Sequence, residues 1–331
     1  MKVGLDALTL SALRLDALSL LDKVVEYRLE GVQYFSHELM KGDAELRRRF
    51  ADKAVEHDLY LELTGGGVNP GSSGRTVEQM VEGWKPLFPL ANEVGATILN
   101  TCFGMHEDRM CPREQFLAKV ATTTEVLRRV AELAAAHNVI VTMELHTDLL
   151  SKELAAIIAA VNSPFVRVNL DTANSLALLE DPVEAAKNLL PYVVTTHYKD
   201  SCVYLTENGF NWQGGAPLGT GLVDLPTVTE MLYQAQPGIH LNIEDSYGFI
   251  PIELYDPAFI NSFPEMTPLD VVSFLKFLRK GESLVTAGVH PRPENVKSAD
   301  LKVVMPSRLW HNTDYARRLR DALVAKYGKA G

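Results

Sequence analysis

Cysteine is scarce in this 331-residue chain: Cys102, Cys111 and Cys202 are the only three. The number is odd and no two stand in a CxxC spacing, which argues against a disulfide framework and against a thiolate zinc site. Reduced thiols in a cytoplasmic protein are the expectation. Basic charge is also short, with 32 Lys and Arg against 42 Asp and Glu, a formal charge of −10. A broad polyanion-binding face needs clustered cations, so nucleic acid is not expected as a partner. No apolar run is long enough to span a bilayer. The opening MKVGLDALTL lacks an apolar signal core followed by a small-residue cleavage site, so no membrane partner is expected. No GxGxxG follows the first strand-like segment, which leaves a dinucleotide-binding sheet without support.

What is present is an alternation. Strand-like runs at Lys2–Asp6, Gly31–Phe35, Leu59–Leu63, Thr97–Thr101, Val139–Glu144, Val166–Asp171, Val193–Tyr198 and Ile239–Glu244 are separated by segments of helical spacing. Strict βα alternation means parallel strands joined by helical crossovers. Eight such units fit a closed (β/α)8 TIM barrel over residues 1–280. Residues 281–331 are then a C-terminal extension that packs on the barrel or on a partner subunit. Thr76–Val94 reads as one helix, Thr267–Lys280 as the eighth barrel helix, and Phe249–Phe263 as a long loop. His290–Trp310 reads as irregular, before a terminal helix over Tyr315–Lys326.

The chemistry concentrates at the strand ends, where the active site of such a barrel lies. The run VIVTMELHTD, Val139 to Asp148, is a buried strand that delivers Glu144 with His146 at the same parity. The next three strands end near Asp171 and Asn174, near His197 and Lys199, and at Glu244. Singly, each is as well explained as a cap or a surface ion pair; Asp171 before a helical run is a plausible N-cap. Jointly, three carboxylates on one patch repel unless something neutralises them. One imidazole with three carboxylates is hard ligation, suited to one divalent ion: Mn2+ first, with Mg2+, Co2+ or Zn2+ as alternatives. Glu144, Asp171, His197 and Glu244 are therefore the candidate metal ligands. His146 is the candidate base, with a hydrogen bond to Asp148 or a ligand carboxylate as its alternative role. His106, Asp108 and Arg109, in the loop after the fourth strand, are candidate substrate contacts, with a solvated loop as the alternative. Lys199 either meets a substrate oxygen or pairs with Asp200. Phe210 and Trp212 either stack on a substrate or fill the space under their own loop.

Taken in order, Glu144 with His146, LDTANSLALLEDP after the sixth strand, HYKD at the seventh, PLGTGLVDL beyond it and Glu244 resemble the xylose isomerase-like TIM barrels. The resemblance implies a Glu-Asp-His-Glu metal site, met one for one by Glu144, Asp171, His197 and Glu244. It also implies that Glu144 and Glu244 move protons, as the metal-bound glutamates of ketose epimerases do. Where many relatives carry DTGH this chain has DTAN, which sets Asn174 at a substrate-contact position. Where epimerases have Glu-Pro it has Glu-Leu-His. The ELHTD and DTANSLALLEDP runs are closer to the α subunits of C-glycoside deglycosidases. That likeness implies elimination from a 3-keto C-glycoside, a small β subunit as partner, and a higher oligomer. A ketose 3-epimerase or sugar isomerase is the alternative. An endonuclease IV-like nuclease or a non-catalytic binding subunit stands further off.

Overall fold

The computed structural model describes residues 1–296 and 298–328. Strands β1 (Lys2–Asp6), β2 (Gly31–Tyr34), β3 (Tyr60–Thr64), β4 (Ile98–Thr101), β5 (Ile140–Glu144), β6 (Val166–Asp171), β7 (Val193–Tyr198) and β10 (His240–Ile243) close into one barrel in the order β1-β10-β7-β6-β5-β4-β3-β2. Every barrel pair is parallel. Helices lie on the outer face, so outward residues such as Val3, Val32, Leu99, Val141, Val168 and Leu241 are all fully buried. The helices stop where the sequence supplies a residue for the left-handed turn. Asn138 (φ 53) ends Arg113–His137 before β5, and Asn162 (φ 50) ends Ser151–Val161 before β6.

The inward-facing layer below the barrel mouth departs from the branched apolar filling usual in this fold. Gln33, Glu62, Asn100, Thr142, Asn169, Thr195 and Asn242 are all buried there. Most are hydrogen-bonded to one another, as buried polar groups must be. Glu62 accepts from Gln33, Thr195, His240 and Asn242. Beneath them the ring of Tyr60 stacks on His240 at 3.6 Å. The same ring occupies the space that a Cβ on Gly4 or Gly31 would need.

Several elements differ from the sequence expectation. Two further strands, β8 (Asp200–Thr206) and β9 (Gly209–Ala216), form an antiparallel hairpin after β7. β11 (Gly248–Ile252) pairs antiparallel with β9, and Pro257–Asn261 is helical, so the stretch read as a long loop is largely ordered structure. Thr76–Val94 is two helices, Val77–Trp84 and Leu87–Val94, because Pro86 stands between them. The helix at Pro268–Thr286 lies on β8 of the hairpin. The position of the eighth barrel helix, against β1, β10 and the helix Leu225–Ala235, is filled by Ser298–Tyr327. That helix also overturns the irregular reading of His290–Trp310 from Ser298 onward. It is anchored on Asp245, next to Glu244, by the guanidinium of Arg308 and by Asn312 Nδ2 at 2.8 Å. No described helix is long and apolar enough to cross a membrane.

Candidate active site

β5, β6, β7 and β10 stand side by side, and their parallel registers set Glu144 beside Asn169, Asp171 beside His197, and His197 beside Asn242. Glu244 lies two residues past Asn242, at the same parity. Register and parity thus bring four buried side chains to one point. Ligand atoms of Glu144, Asp171, His197 and Glu244 all lie within 4.8 Å of one another. His197 Nδ1 is 3.2 Å from Glu144 Oε1 and 2.9 Å from Glu244 Oε2. Asp171 serves two roles. Its Oδ1 accepts from the backbone N–H of Ala173 (2.8 Å) and Asn174 (3.0 Å), the capping arrangement, while Oδ2 turns to the cluster.

Lys199 sits inside this group. Its Nζ is 2.8 Å from both Asp171 Oδ2 and Glu244 Oε1, and 3.4 Å from Asn174 Oδ1. It does not pair with Asp200, whose carboxylate instead accepts from the backbone N–H groups of Ser201, Gly219, Gly221 and Val223. The carboxylates therefore have a counter-charge within the protein itself. Burial opposes the charged form of His197, but Glu144 and Glu244 outweigh it and hold the imidazolium pKa well above its ordinary value. Burial would raise Glu244, yet Lys199 and His197 hold it well below the usual carboxylate range. At Asp171 burial prevails over Lys199, and the pKa is pushed up to about 6.

The donor set fits a divalent cation. Apart from their ion-pair contacts, Asp171 Oδ2, His197 Nδ1 and Glu244 Oε2 are buried without a hydrogen bond, and all three turn to the same point. Buried polar atoms are rarely left so. Three carboxylates and an imidazole, with no thiolate, constitute an oxygen-rich site for a hard divalent metal.

The other sequence candidates separate into two groups. His146 is half-buried and lines the cleft with Glu144, His197 and Glu244. Its Nδ1 is 4.0 Å from Asp148 Oδ2. Asn174 donates through Nδ2 to Glu144 Oε1 (3.4 Å) and Leu145 O (3.3 Å), so it orients a candidate ligand. Arg109 is elsewhere. Its guanidinium is buried, bonded to Glu153 (2.6 Å) and to the carbonyls of Asp148 and Ser262, and stacked 4.0 Å over Phe263. It fastens three loops together, is fully buried and does not line the cleft. His106 bonds Thr147 O at 3.3 Å and stacks on Phe259, off the cleft wall. Phe210 is buried against Phe274. Trp212 is buried with its ring 5.9 Å from Lys199 Nζ.

Four site residues escaped the sequence reading, among them Asn100, which donates to Glu144 Oε2 at 3.3 Å. Asp6 approaches His197 Nε2 at 3.5 Å, Gln33 meets the same nitrogen at 2.8 Å, and Ser246 donates to Glu244 Oε1 at 2.9 Å. Asp6 and Gln33 could have been found, since each is polar at an inward position near the C-terminal end of a barrel strand. The cluster opens into a cleft of roughly 670 Å3, bounded by the loops after β1 to β4. Leu8, Phe35, Val68, Met80, Phe103 and Met105 make its walls away from the carboxylates predominantly apolar.

A closed parallel barrel with a buried carboxylate–imidazole centre at the C-terminal mouth defines a class of metal-site barrels. Residues 21–256 match the family model described as the xylose isomerase-like TIM barrel, and the chain belongs to that family. It is 28% identical over 110 residues to 3-oxo-isoapionate decarboxylase of Pectobacterium atrosepticum, a match spanning 33% of this chain and 40% of that enzyme. Among solved structures it is similar to D-psicose 3-epimerase of Clostridium cellulolyticum H10, with TM-score 0.63, 13% identity, and 85% and 99% of the two chains covered. It is also similar to a probable 3-DHS dehydratase of Bacillus anthracis, with TM-score 0.61, 18% identity, and 79% and 97% covered. At these identities the likeness establishes the fold.

Proposed function

We propose that this chain is a divalent-metal-dependent enzyme that removes a proton next to a carbonyl of an oxidised sugar, and that its reaction is elimination from a 3-keto C-glycoside. One observation carries the reading. A hydrophilic metal-type centre opens directly onto an apolar-walled cleft, which suits a substrate with a sugar at one end and an apolar aglycone at the other. Glu144, Asp171, His197 and Glu244 would hold the cation, best Mn2+, which would supply charge stabilisation to a carbonyl oxygen of the substrate.

The chain's own residues do the rest. His146, half-buried on the cleft wall, takes the proton from the carbon next to the ketone. The electron pair forms the ring C–C double bond as the bond to the aglycone carbon breaks, and that carbon leaves with the pair and is protonated. Asn174 and Asn100 hold Glu144 at 3.4 and 3.3 Å, so its remaining lone pairs stay on the cluster. The apolar walls exclude water from the carbon being deprotonated. A small second subunit, which the sequence resemblance suggests, is part of the proposal.

A ketose 3-epimerase or sugar isomerase is the second reading. It is favoured by Glu144 and Glu244 converging on His197 Nδ1, which sets two carboxylates beside one point in the mouth, a pair able to give and take a proton at one carbon. The test is incubation of the Mn2+-loaded protein, with any small protein that co-purifies, with a 3-keto C-glucoside and separately with free ketoses. Aglycone release supports elimination, and epimer formation from the ketose assigns the second reading. Neither product in the metal-loaded protein would overturn both.

A further inference from the structure

Beneath the candidate metal centre the polar layer of the barrel sets an order of donors and acceptors that ends on His197. Glu62 is fully buried, and its carboxylate is met by Gln33 Nε2 (3.1 Å), Asn242 Nδ2 (3.1 Å), His240 Nδ1 (2.7 Å) and the Thr195 hydroxyl (2.9 Å). A carboxylate only accepts, so the amide of Gln33 must present its NH2 to Glu62. Its Oε1 is then committed to the opposite side, where His197 Nε2 lies at 2.8 Å. An oxygen there has to be met by an N–H. Asp6 Oδ2, 3.5 Å from the same nitrogen, is a second acceptor asking for the same proton. Nε2 therefore carries hydrogen, and Nδ1 is the nitrogen left for a cation. Nδ1 is the one that faces Glu144 and Glu244.

We infer that Gln33, locked by Glu62, is a positioning residue that fixes His197 in the tautomer whose Nδ1 ligates the metal. The inference rests on the metal site of the proposed function and goes beyond it. It assigns a role to two residues outside the candidate ligand set, one of them a fully buried glutamate some way down the barrel. Outer partners that orient a ligating imidazole commonly change metal affinity by about 10–100-fold when removed.

The test has two readouts. In protein labelled with 15N-histidine and loaded with diamagnetic Zn2+, the His197 signals, assigned by their loss in His197→Gln, should show a protonated Nε2 and a metal-bound Nδ1. The opposite pattern overturns the inference alone. Absence of Zn2+ binding overturns both the inference and the metal site beneath it. Gln33→Met keeps the side-chain length without the amide, and should bind Mn2+ about 10–100-fold more weakly by isothermal titration calorimetry, with a mixed His197 tautomer in the Zn2+ form. A folded Gln33→Met with wild-type affinity and the wild-type tautomer would refute the role. Should that variant not fold, the spectrum of the unsubstituted protein decides.

Discussion

Replacing Lys199 by Met separates the two ways in which the acidic cluster can be neutralised. The ammonium is 4% exposed and lies 2.8 Å from Asp171 and from Glu244. Removing one partner of such a buried group leaves uncompensated charge and costs about 3–5 kcal/mol. The entropy of unfolding of a 331-residue chain is about 0.7 kcal/mol/K, taking about 2 cal/mol/K for each residue. The metal-free Lys199→Met protein should accordingly melt about 4–7 °C below the metal-free wild type. A divalent ion supplies the missing positive charge, and the variant no longer has an ammonium competing for Asp171 Oδ2. Mn2+ should therefore bind the variant at least as tightly as the wild type. At a thousand times its dissociation constant it should stabilise the variant by about 4 kcal/mol, closing most of the gap to the metal-free wild type. Thermal melts of the EDTA-treated and Mn2+-loaded pair measure both effects. If the metal-free variant melts with the wild type, Lys199 is not the counter-charge; if Mn2+ does not raise the melting temperature of the variant, the cluster does not hold a cation.

Two further perturbations act beside the cluster. His146→Ala should lower turnover by about 100-fold or more while metal content, measured by elemental analysis, stays at the wild-type level. Retained turnover would remove His146 from the reaction. Asp148 is fully buried, and burial, which prevails over His146, pushes its pKa from 3.8 to about 7. The native state then holds a proton that the unfolded chain has released. Stability from this group is full below about pH 4 and is lost as pH rises towards 7. Asp148→Asn keeps an oxygen for the backbone N–H of Gly104, 2.6 Å away, and no longer titrates. Its urea midpoint should fall less than that of the wild type between pH 5 and pH 8, and identical slopes would contradict the assignment.

The sequence carries the barrel plainly because each barrel strand buries its outward face under a helix, and Val, Leu and Ile at those positions make the run visible. The four cluster residues were legible for a related reason. Each stands at or just past the C-terminal end of a barrel strand, and four neighbouring strands bring such residues to one end, a coincidence that caps and surface ion pairs do not explain. The hairpin β8–β9 was missed although Glu207 and Asn208 form a two-residue turn between its strands, with Gly209 directly after. The Gly-rich GFNWQGGA run hid the alternation. Arg109 could not have been placed from sequence. Its partners Glu153 and Ser262 are 44 and 153 residues away, and only the folded chain brings them to the guanidinium. Lys199 was within reach, since it shares parity with His197 and so had to point into the same mouth.

Parity also explains how one set of strands serves both stability and chemistry. Along β3 the residues alternate Tyr60, Leu61, Glu62, Leu63, Thr64, with the leucines outward under the helices and the others inward. Along β10 Leu241 and Ile243 are outward and His240 and Asn242 inward. The apolar half of each strand supplies the burial that holds the barrel closed, worth about 25 cal/mol for each Å2 removed from water. The inward half is then free of that task and can be polar, provided every group finds a partner. Glu62, with its four donors, meets that condition, and through Gln33 it governs His197. A substitution such as Leu61→Ala would therefore act on stability first, whereas Gln33→Met, one strand away at the opposite parity, acts on the metal centre.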